Sequence, residues 1–431
     1  MGSSPAVRAS FLPVSPSAFL CRAPACNAPR RFVRQAFPPE HPAMPTSLPA
    51  PSPEEAAHSE RLRAQIAHTI QHAGGWISFA RYMQLALYAP ELGYYTGGSH
   101  KLGADGDFIT APEATPLFGE CIATQLAEVL PQTEGVLLEA GAGSGALAVS
   151  VLRALERRDC LPARYDILEV SPSLMQRQQE RLTAQAPHLL ARVRWLQAPP
   201  ERFSGVLLAN EVLDAMPVHR LICADGEVRE DGVALDAAGQ FCWQARPLSA
   251  VLHEAAAALP LAREADTPVR TELALAARDW VREWSRRLVC GLMLLIDYGY
   301  PRDEYYLPAR SDGTLACYYR HRMHADPFWL PGLNDLTASV DFTAVAEAAF
   351  DSGLDIFGFT SQAAFLFNCG LTEHLARHSD AGERAHFAAL RGAQRISDLR
   401  EMGETFKVFA AGRGIAPQLC GFAQHDRTHA L

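Results

Sequence analysis

The sequence predicts an α/β fold in which helices cover a mostly parallel sheet. Segments with the character of strands alternate with segments of helical character between residues 136 and 210, and this alternation is typical of parallel sheets. A glycine-rich turn joins the first of these strands to the first helix. The chain has 431 residues, 48% of them hydrophobic, and can therefore bury a large core.

Residues 1–53 are rich in Pro, Ser, Ala and Arg and lack the periodicity of a helix or a strand. We expect this segment to be a disordered tail. Its Arg-rich, acid-poor start resembles a mitochondrial transit peptide, which would direct the protein to the mitochondrial matrix. The alternative is a misassigned start, with Met44 beginning a bacterial cytoplasmic protein. We favour the second interpretation, because arginine provides nearly all of the positive charge of the whole chain.

Residues 54–130 are predicted to form an N-terminal helical and lid region. Leu62, Ile66 and Ile70 recur at helical spacing among charged residues, which is typical of an amphipathic helix. The predicted helices are 54–74, 78–88 and 116–130. The intervening GDFITAPE, at 106–113, is a Gly-Pro loop that we expect to fold over a ligand.

Residues 131–216 are predicted to form a nucleotide-binding core of the Rossmann type. The predicted strands are VLLEAG (136–141), YDILEV (165–170), VRWL (193–196) and GVLLAN (205–210), and the predicted helices are 146–157 and 173–186.

The alternation stops at residue 217, and hairpin-like pieces indicate an inserted β substructure over 217–270. The remainder of the core and the elements on the substrate side are assigned to 271–415, and a C-terminal tail to 416–431. The predictions for this part are a helix at 271–288, a strand at 291–299, a core segment at 359–367 and an edge strand at 406–414.

The distribution of charge excludes some classes of partner. The net charge is −9, but residues 1–43 carry +4, so the remainder carries about −13. An acidic body argues against nucleic acid, which binds to basic faces, and suits a cationic ligand. The apolar runs fall short of the ~20 residues that cross a bilayer. Ten cysteines without a Cys-x-x-Cys pair predict no metal site and a reducing compartment.

The glycine-rich turn lies in LLEAGAGSGAL at 137–147. Gly141, Gly143 and Gly145 let the chain turn tightly and bring a ligand close to the main chain, and the next helix begins with free N–H groups. Enzymes that use NAD and enzymes that use S-adenosylmethionine both contain such turns. The glycines alone therefore leave the nucleotide undecided.

Two acids at strand ends bear on the choice between NAD and S-adenosylmethionine. Glu139 precedes the first glycine, where its charge would repel a pyrophosphate and attract the sulfonium and amino group of S-adenosylmethionine. Glu169 ends the next strand, where an acid binds the ribose hydroxyls of either cofactor. The alternative interpretation is that both are ordinary solvated acids.

The fourth strand ends in ANEVLDAMPVHR. Asn210, Glu211 and Asp214 place polar groups at the carboxyl edge of the sheet, where doubly wound proteins bind their ligands. The same residue types also form ordinary turns, so this spacing alone does not decide between the two interpretations.

Six motifs in order resemble the MidA-like family of class I methyltransferases. They are LYAPELGYY, GDFITAPEATPLFGE, LLEAGAGSGAL, NEVLDAMPVH, IDYGY and DLTASVDF. The resemblance extends from about residue 60 to 415. It implies a seven-stranded methyltransferase sheet and S-adenosylmethionine as cofactor. It also implies the activity of the mitochondrial member, which symmetrically dimethylates an arginine in a core subunit of complex I.

The resemblance assigns roles to residues at the matching positions. Glu139, Gly141 and Gly143 would hold the methionine end of the cofactor, Glu169 the ribose, and Asn210 and Glu211 would border the site of methyl transfer. The sequence departs from the family at Ser339, where we expect histidine. A role for a histidine at that position is therefore in doubt.

An arginine acceptor needs anionic partners, because its guanidinium is protonated at neutral pH. Glu211 and Asp214 are the predicted pair that would orient one nitrogen and accept its proton. Glu113 is a second candidate, with the alternative that it is only an N-terminal carboxylate of the following helix.

Other candidates are less specific. Asp107 and Thr110 are predicted to contact the cofactor or to shape the turn around them. Tyr94 and Tyr95 would form a wall against a guanidinium or adenine, although clustered tyrosines also occur as packing. His321 and His324 have a spacing that would put both on one helical face, and we expect them to be structural or at the rim of the substrate site.

The leading prediction is thus a protein arginine methyltransferase with a protein substrate. Two alternatives stay open at this stage. One is an assembly chaperone for complex I that keeps a cofactor site without essential catalysis, and the other is an NAD-dependent oxidoreductase.

Overall fold

The computed structural model describes residues 48–97, 110–261, 267–378, 383–416 and 418–431. Its helices are α1 (Pro53–His72), α2 (Phe79–Tyr88), α3 (Ala111–Ala114), α4 (Leu117–Val129), α5 (Ala146–Glu156), α6 (Pro172–Gln185), α7 (Ala250–Ala257), α8 (Leu275–Arg287), α9 (Arg302–Tyr305), α10 (Phe342–Asp351), α11 (Gln362–Asn368), α12 (Leu371–Arg377), α13 (Glu383–Ser397) and α14 (Met402–Thr405). Its strands are β1 (Trp76–Ile77), β2 (Val136–Ala140), β3 (Arg164–Leu168), β4 (Val193–Leu196), β5 (Phe203–Asn210), β6 (His219–Ala224), β7 (Glu227–Leu235), β8 (Phe241–Pro247), β9 (Val269–Leu273), β10 (Leu288–Tyr300), β11 (Ala316–Tyr319), β12 (Arg322–His324), β13 (Asp335–Thr337), β14 (Val340–Asp341), β15 (Asp355–Ser361) and β16 (Phe406–Arg413).

The largest sheet has the strand order β15-β16-β10-β5-β2-β3-β4, and the two-residue strand β14 pairs beside β10. The neighbours from β10 to β4 pair in parallel, whereas β16 is antiparallel to both β10 and β15. Successive residues of a strand face opposite sides of the sheet. Leu137 and Leu138 accordingly belong to separate cores, one against α4 and α5 and the other against α8 and α10.

Helix starts follow the capping chemistry of the sequence. Ser78 caps α2 by accepting a hydrogen bond from the amide of Arg81 at 3.1 Å. Pro172 occupies the first turn of α6, as its missing N–H allows. Most of the predicted strands and helices between 136 and 210 are thereby confirmed to within about two residues.

Two predictions about the second half of the core were wrong. Strand β16 does not lie at the edge of the sheet, because β15 pairs beyond it. The sequence of β15, DIFGFTS, contains glycine and lacks regular alternation of apolar and polar residues, so it gave little signal of a strand. The predicted helix at 271–288 begins only at Leu275, since residues 271–273 complete strand β9.

A second sheet has the order β1-β7-β6-β9, with β8 paired to β7. Strand β1 comes from the N-terminal region, while the other strands lie between residues 219 and 273. Both regions share one apolar core, in which α1 and α2 contribute Ile66 and Tyr82 and the sheet contributes Val233. The two segments therefore pack together, although about 140 residues separate them in the chain.

A small third sheet has the order β12-β11-β13, and the amide of Ala338, just after β13, donates to the carbonyl of Asp214 in the loop after β5 at 3.0 Å. His321 lies in the turn before β12 and His324 lies within β12, so the predicted common helical face is wrong. Near the C-terminus, Leu419 and Phe422 pack against the core, and the described residues of the predicted tail are thus part of the fold.

Some predictions fall outside the described residues. These are residues 1–47 of the predicted tail and most of the predicted lid, with Asp107. In the part of the chain that the structure describes, no helix combines the length and apolar character needed to cross a membrane.

Candidate active site

A cavity of about 1050 Å³ opens at the carboxyl ends of strands β2, β3, β5 and β10. One part of its lining, the glycine-turn wall, consists of residues 139–144, 146, 147, 168–171 and 174. Another part, the acid–tyrosine wall, consists of Tyr88, Tyr95, Asn210, Glu211, Asp214, Tyr298, Tyr318, Asp335 and Thr337. The cavity lies where parallel sheets of this type bind their ligands.

The glycine-turn wall depends on backbone conformations that other residues rarely adopt. Gly141, Gly143 and Gly145 have φ angles of 70°, 53° and 82°, which L side chains adopt only at a cost. A Cβ atom at Gly141 would also lie 2.9 Å from Val212 Cγ2. Helix α5 starts directly after the turn, so its first amides are available to a ligand.

Glu139 is the penultimate residue of strand β2 and is only 2% exposed. The hydroxyl of Tyr165 donates a hydrogen bond to its Oε2 at 2.7 Å. Burial, together with the nearby charge of Glu169, raises the pKa of Glu139 to about 7. No arginine or lysine among the described residues forms an ion pair with Glu139. A buried carboxylate in this state fits a cationic ligand group.

Glu169 follows β3 and is also buried. Its Oε1 accepts a hydrogen bond from the amide of Ser171 at 2.8 Å and its Oε2 from Gln178 Nε2 at 3.0 Å. Gln178 Nε2 also donates to the carbonyl of Gly143 at 2.9 Å, which ties this acid to the glycine-rich turn. Each carboxylate oxygen keeps a second lone pair, as binding to a diol requires.

Glu211 follows strand β5 with a left-handed backbone, φ 54°. Its amide donates to the carbonyl of Ile296 at 2.9 Å, and Asn210 Nδ2 donates to its Oε1 at 3.0 Å. Its accessible surface faces the cavity. Burial, together with the charge of Asp214, raises the pKa of Glu211 to about 7.

Asp214 and Asp297 form a second pair of buried carboxylates. Asp297 Oδ2 accepts hydrogen bonds from the amides of Val212, Leu213 and Asp214 at 2.9–3.2 Å, and these bonds fix the loop that carries Glu211. Burial and the charge of Asp214 raise the pKa of Asp297 well above its ordinary value. Burial also raises the pKa of Asp214, and a hydrogen bond from the hydroxyl of Tyr298 opposes the shift.

Two buried polar atoms in the acid–tyrosine wall, Asn210 Oδ1 and Asp214 Oδ1, have no hydrogen-bond partner among the described residues. Buried polar atoms in folded proteins are nearly always satisfied by protein, ligand or ordered water. Both atoms are acceptors only, so they can bind a ligand with N–H donors.

Glu113 is held by contacts within the protein. It lies in α3, accepts a hydrogen bond from Ser144 and forms an ion pair with Arg181 Nη1 at 2.9 Å. It is the acidic residue of the first turn of α3, and the next helix, α4, starts four residues later at Leu117. Thr110 precedes α3 and lines the cavity.

The two predicted tyrosines differ in their surroundings. Tyr94 is 2% exposed and packs in the core shared by α1, α2 and the second sheet. Tyr95 lies in the acid–tyrosine wall, where its hydroxyl donates to Asp335 Oδ1 at 3.0 Å. Both tyrosines line the cavity. Each of them therefore packs against other residues and is also placed where it can contact a ligand.

Sequence reasoning missed several residues of the acid–tyrosine wall. These are Tyr88, Tyr298, Tyr318, Asp335 and Thr337, together with Asp297 behind it. A signal existed for Asp297 and Tyr298, which lie near the end of a buried strand parallel to β5 in the motif IDYGY. The motifs LYAPELGYY and DLTASVDF also contain Tyr88, Asp335 and Thr337, but no local pattern indicated that α2 and the third sheet would bring these residues to the strand ends. In the described ranges no group of three or more His, Cys, Asp or Glu is arranged to hold a metal ion.

Comparison with known proteins identifies the family to which this chain belongs. A model of the family described as "Putative S-adenosyl-L-methionine-dependent methyltransferase" matches residues 119–360, more than half of the chain. The chain belongs to this methyltransferase family. The predicted MidA-like membership, the α/β methyltransferase fold and S-adenosylmethionine as cofactor are confirmed. The glycines left NAD and S-adenosylmethionine open, and the family decides for S-adenosylmethionine.

The sequences of several relatives match most of this chain. A Danio rerio protein named "Protein arginine methyltransferase NDUFAF7, mitochondrial" is 30% identical over 378 residues, covering 78% of this chain and 84% of that protein. A Drosophila melanogaster homolog of the same name is 29% identical, covering 85% and 88%. A crystal structure of a Burkholderia thailandensis protein bound to S-adenosyl-homocysteine is 43% identical, with a TM-score of 0.84, covering 89% of this chain and 100% of that one.

Proposed function

We propose that this methyltransferase is a protein arginine N-methyltransferase that symmetrically dimethylates an arginine in a respiratory complex I subunit. The observation that carries the proposal is the pair of buried acids Glu211 and Asp214 in the same cavity as the glycine-turn wall. The relatives from Drosophila melanogaster and Danio rerio, which are named as protein arginine methyltransferases, support the choice of arginine. The complex I subunit rests on the resemblance alone.

We assign the glycine-turn wall to the cofactor. S-adenosylmethionine supplies an electrophilic methyl group on a sulfonium. Glu139 would attract the positive charge of the methionine end, because a buried carboxylate without an ion-pair partner gains most from a cation. Gly141 and Gly143 would allow close approach of the main chain, and Glu169 would accept hydrogen bonds from the ribose hydroxyls.

We assign the acid–tyrosine wall to the acceptor. Glu211 and Asp214 would bind the guanidinium by charge-assisted hydrogen bonds and turn one nitrogen toward the methyl group. As the new N–C bond forms and the S–C bond breaks, the nitrogen loses a proton, which passes to one of these carboxylates. Correct placement of two reactants can supply about 7–11 kcal/mol of the barrier reduction.

We propose that the protein acts in the cytoplasm of a bacterial cell. A Burkholderia thailandensis protein at 43% identity supports a bacterial source, whereas relatives at about 29% identity have mitochondrial names. Fractionation of cells that express the full chain with a C-terminal epitope tests the location. Recovery in the membrane or periplasmic fraction of the bacterial cells would contradict it.

The test of the activity uses a strain that lacks the protein. Complex I subunits from the deletion strain and its parent are digested and compared by mass spectrometry. We expect one dimethylarginine in the parent that is absent from the deletion strain and returns with the wild-type chain. Identical modification in both strains would refute the complex I substrate, and loss of a methyl group from lysine would refute the choice of arginine.

A further inference from the structure

We propose that Asp335, held by Tyr95, is a second anionic contact for the acceptor and selects arginine over lysine. This inference rests on the proposed function, since it concerns the same site. It differs from the assignment of Glu211 and Asp214 because Asp335 comes from the third sheet, which packs over the strand ends.

Asp335 lies in a constrained position. It is 5% exposed, it starts strand β13, and it pairs across the sheet with Tyr318 of β11. The hydroxyl of Tyr95 donates to its Oδ1 at 3.0 Å. Thr337 is two residues along the same strand and therefore on the same face. Thr337 is buried and also lines the cavity.

Two stacked tyrosines connect Asp335 with the acids that follow β5. The rings of Tyr88 and Tyr95 have centroids 5.5 Å apart and an interplanar angle of 23°. The hydroxyl of Tyr88 donates at 3.0 Å to the carbonyl of Ala215, next to Asp214, whereas that of Tyr95 reaches Asp335. The stacked pair thus connects the two acids, because Tyr88 is anchored next to Asp214 and Tyr95 is anchored at Asp335. The aromatic faces add attraction for a cation.

The electrostatics of the tyrosines agree with this geometry. Burial raises the pKa of Tyr88, Tyr95 and Tyr318, and the charges of both Asp214 and Asp335 raise it further. The two carboxylates therefore act on the same three phenols. The described lining of the cavity contains seven carboxylates against two guanidinium groups, which come from α13. This excess of negative charge suits a cationic acceptor.

Two separate anionic contacts favour a guanidinium over an ammonium. A guanidinium is planar and has five N–H donors, so it can bind carboxylates on more than one side at once. The ammonium of lysine is a compact point charge and would satisfy one acid at a time. Asp335 would therefore contribute more to arginine binding than to lysine binding.

The test measures binding separately from catalysis. N-acetyl-arginine methylamide and N-acetyl-lysine methylamide are titrated by NMR into the full chain with S-adenosylhomocysteine present. For the wild type we expect tighter binding of the arginine probe by about tenfold, as one charge-assisted hydrogen bond provides. Asp335→Asn should remove that preference and leave the affinity for S-adenosylhomocysteine unchanged.

Asp312→Asn is the matched control, because it removes one carboxylate charge from a side chain that is 84% exposed and lies outside the cavity lining. It should keep the preference of the wild type. If Asp335→Asn does not fold, Tyr95→Phe decides, since it removes only the hydroxyl that holds Asp335 and should lower the preference by about threefold.

The outcomes separate this inference from the proposed function. A wild-type preference that Asp335→Asn or Tyr95→Phe leaves unchanged overturns the role of Asp335, while arginine methylation by the wild type would still support the proposed function. Absence of any preference in the wild type also overturns the inference. Loss of the preference in Asp335→Asn supports it, even if mass spectrometry finds no methylarginine on complex I and the physiological substrate proposed above is therefore refuted.

Discussion

The two walls of the cavity are built in different ways. The glycine-turn wall comes from two short segments, which both lie within residues 139–174 at the ends of two adjacent parallel strands. The acid–tyrosine wall collects residues from α2 and the loop after it, the end of β5 and the loop that follows, β10, and the third sheet, between residues 88 and 337. One wall is thus a local property of the sequence, whereas the other exists only after distant elements pack together. Substitutions in each wall should therefore have separable effects.

The largest expected effect is on the rate of methyl transfer, and it tests the role of the acid–tyrosine wall. The double variant Glu211→Gln/Asp214→Asn should lose about 10³-fold in the rate of methyl transfer, because it removes both the proton acceptor and the anionic contacts. Its affinity for S-adenosylmethionine, measured by isothermal titration, should stay within about threefold of the wild type.

The same double variant decides between catalysis and an assembly chaperone. Glu227→Gln, an exposed acid on β7, serves as the control and should retain full activity. Complementation of the deletion strain should fail with the double variant. Full restoration of complex I assembly by a variant that binds cofactor but transfers no methyl group would instead establish the chaperone alternative.

A smaller effect is expected on the cofactor side. Glu139→Gln should weaken binding of S-adenosylmethionine by about 100-fold, because a buried charge-assisted contact is lost. Glu139→Ala should abolish measurable binding. The control is Glu134→Gln, an exposed acid just before the other end of β2, which should bind normally. Unchanged affinity in Glu139→Gln would remove this residue from the cofactor site, and binding of NADH in preference would contradict the assignment.

The pH dependence of cofactor binding should show the state of the same acid. The pKa of Glu139 is raised to about 7 in the cofactor-free protein. Below that pH a proton must leave before the cation binds, so the Kd for S-adenosylmethionine should rise about tenfold per pH unit as pH falls, and level off above pH 7. Titrations from pH 5.5 to 8.5 measure this, and the dependence should be absent in Glu139→Gln.

The smallest expected effect is on cofactor affinity, when a glycine of the glycine-turn wall is replaced and compared with a glycine elsewhere that also has a positive φ. Gly141→Ala (φ 70°) and Gly239→Ala (φ 75°, in a hairpin with no atom near the added Cβ) should each lower the free energy of unfolding by about 1–2 kcal/mol. Only Gly141→Ala should also weaken S-adenosylmethionine binding, by about fivefold. Equal affinities in the two variants would mean that the turn does not contact the cofactor.

The sequence predicted the two walls unequally, for physical reasons. Glu139 and Glu169 were predictable because each follows a short apolar strand and consecutive parallel strands end at one edge of the sheet. Asp335 lies in a three-residue strand, too short for a pattern of alternation. Its position beside Tyr95 depends on how the third sheet packs against α2. The same reason explains the misplaced edge of the large sheet, since the pairing of β15 with β16 is a tertiary contact.

The left-handed backbone of Glu211 has a consequence for engineering this methyltransferase. Glutamate pays about 1–2 kcal/mol for that conformation, which glycine would adopt freely. Folding and methyl transfer therefore favour different residues at position 211. A library sorted for heat resistance alone should enrich glycine or asparagine there, and the same library sorted for activity should retain glutamate.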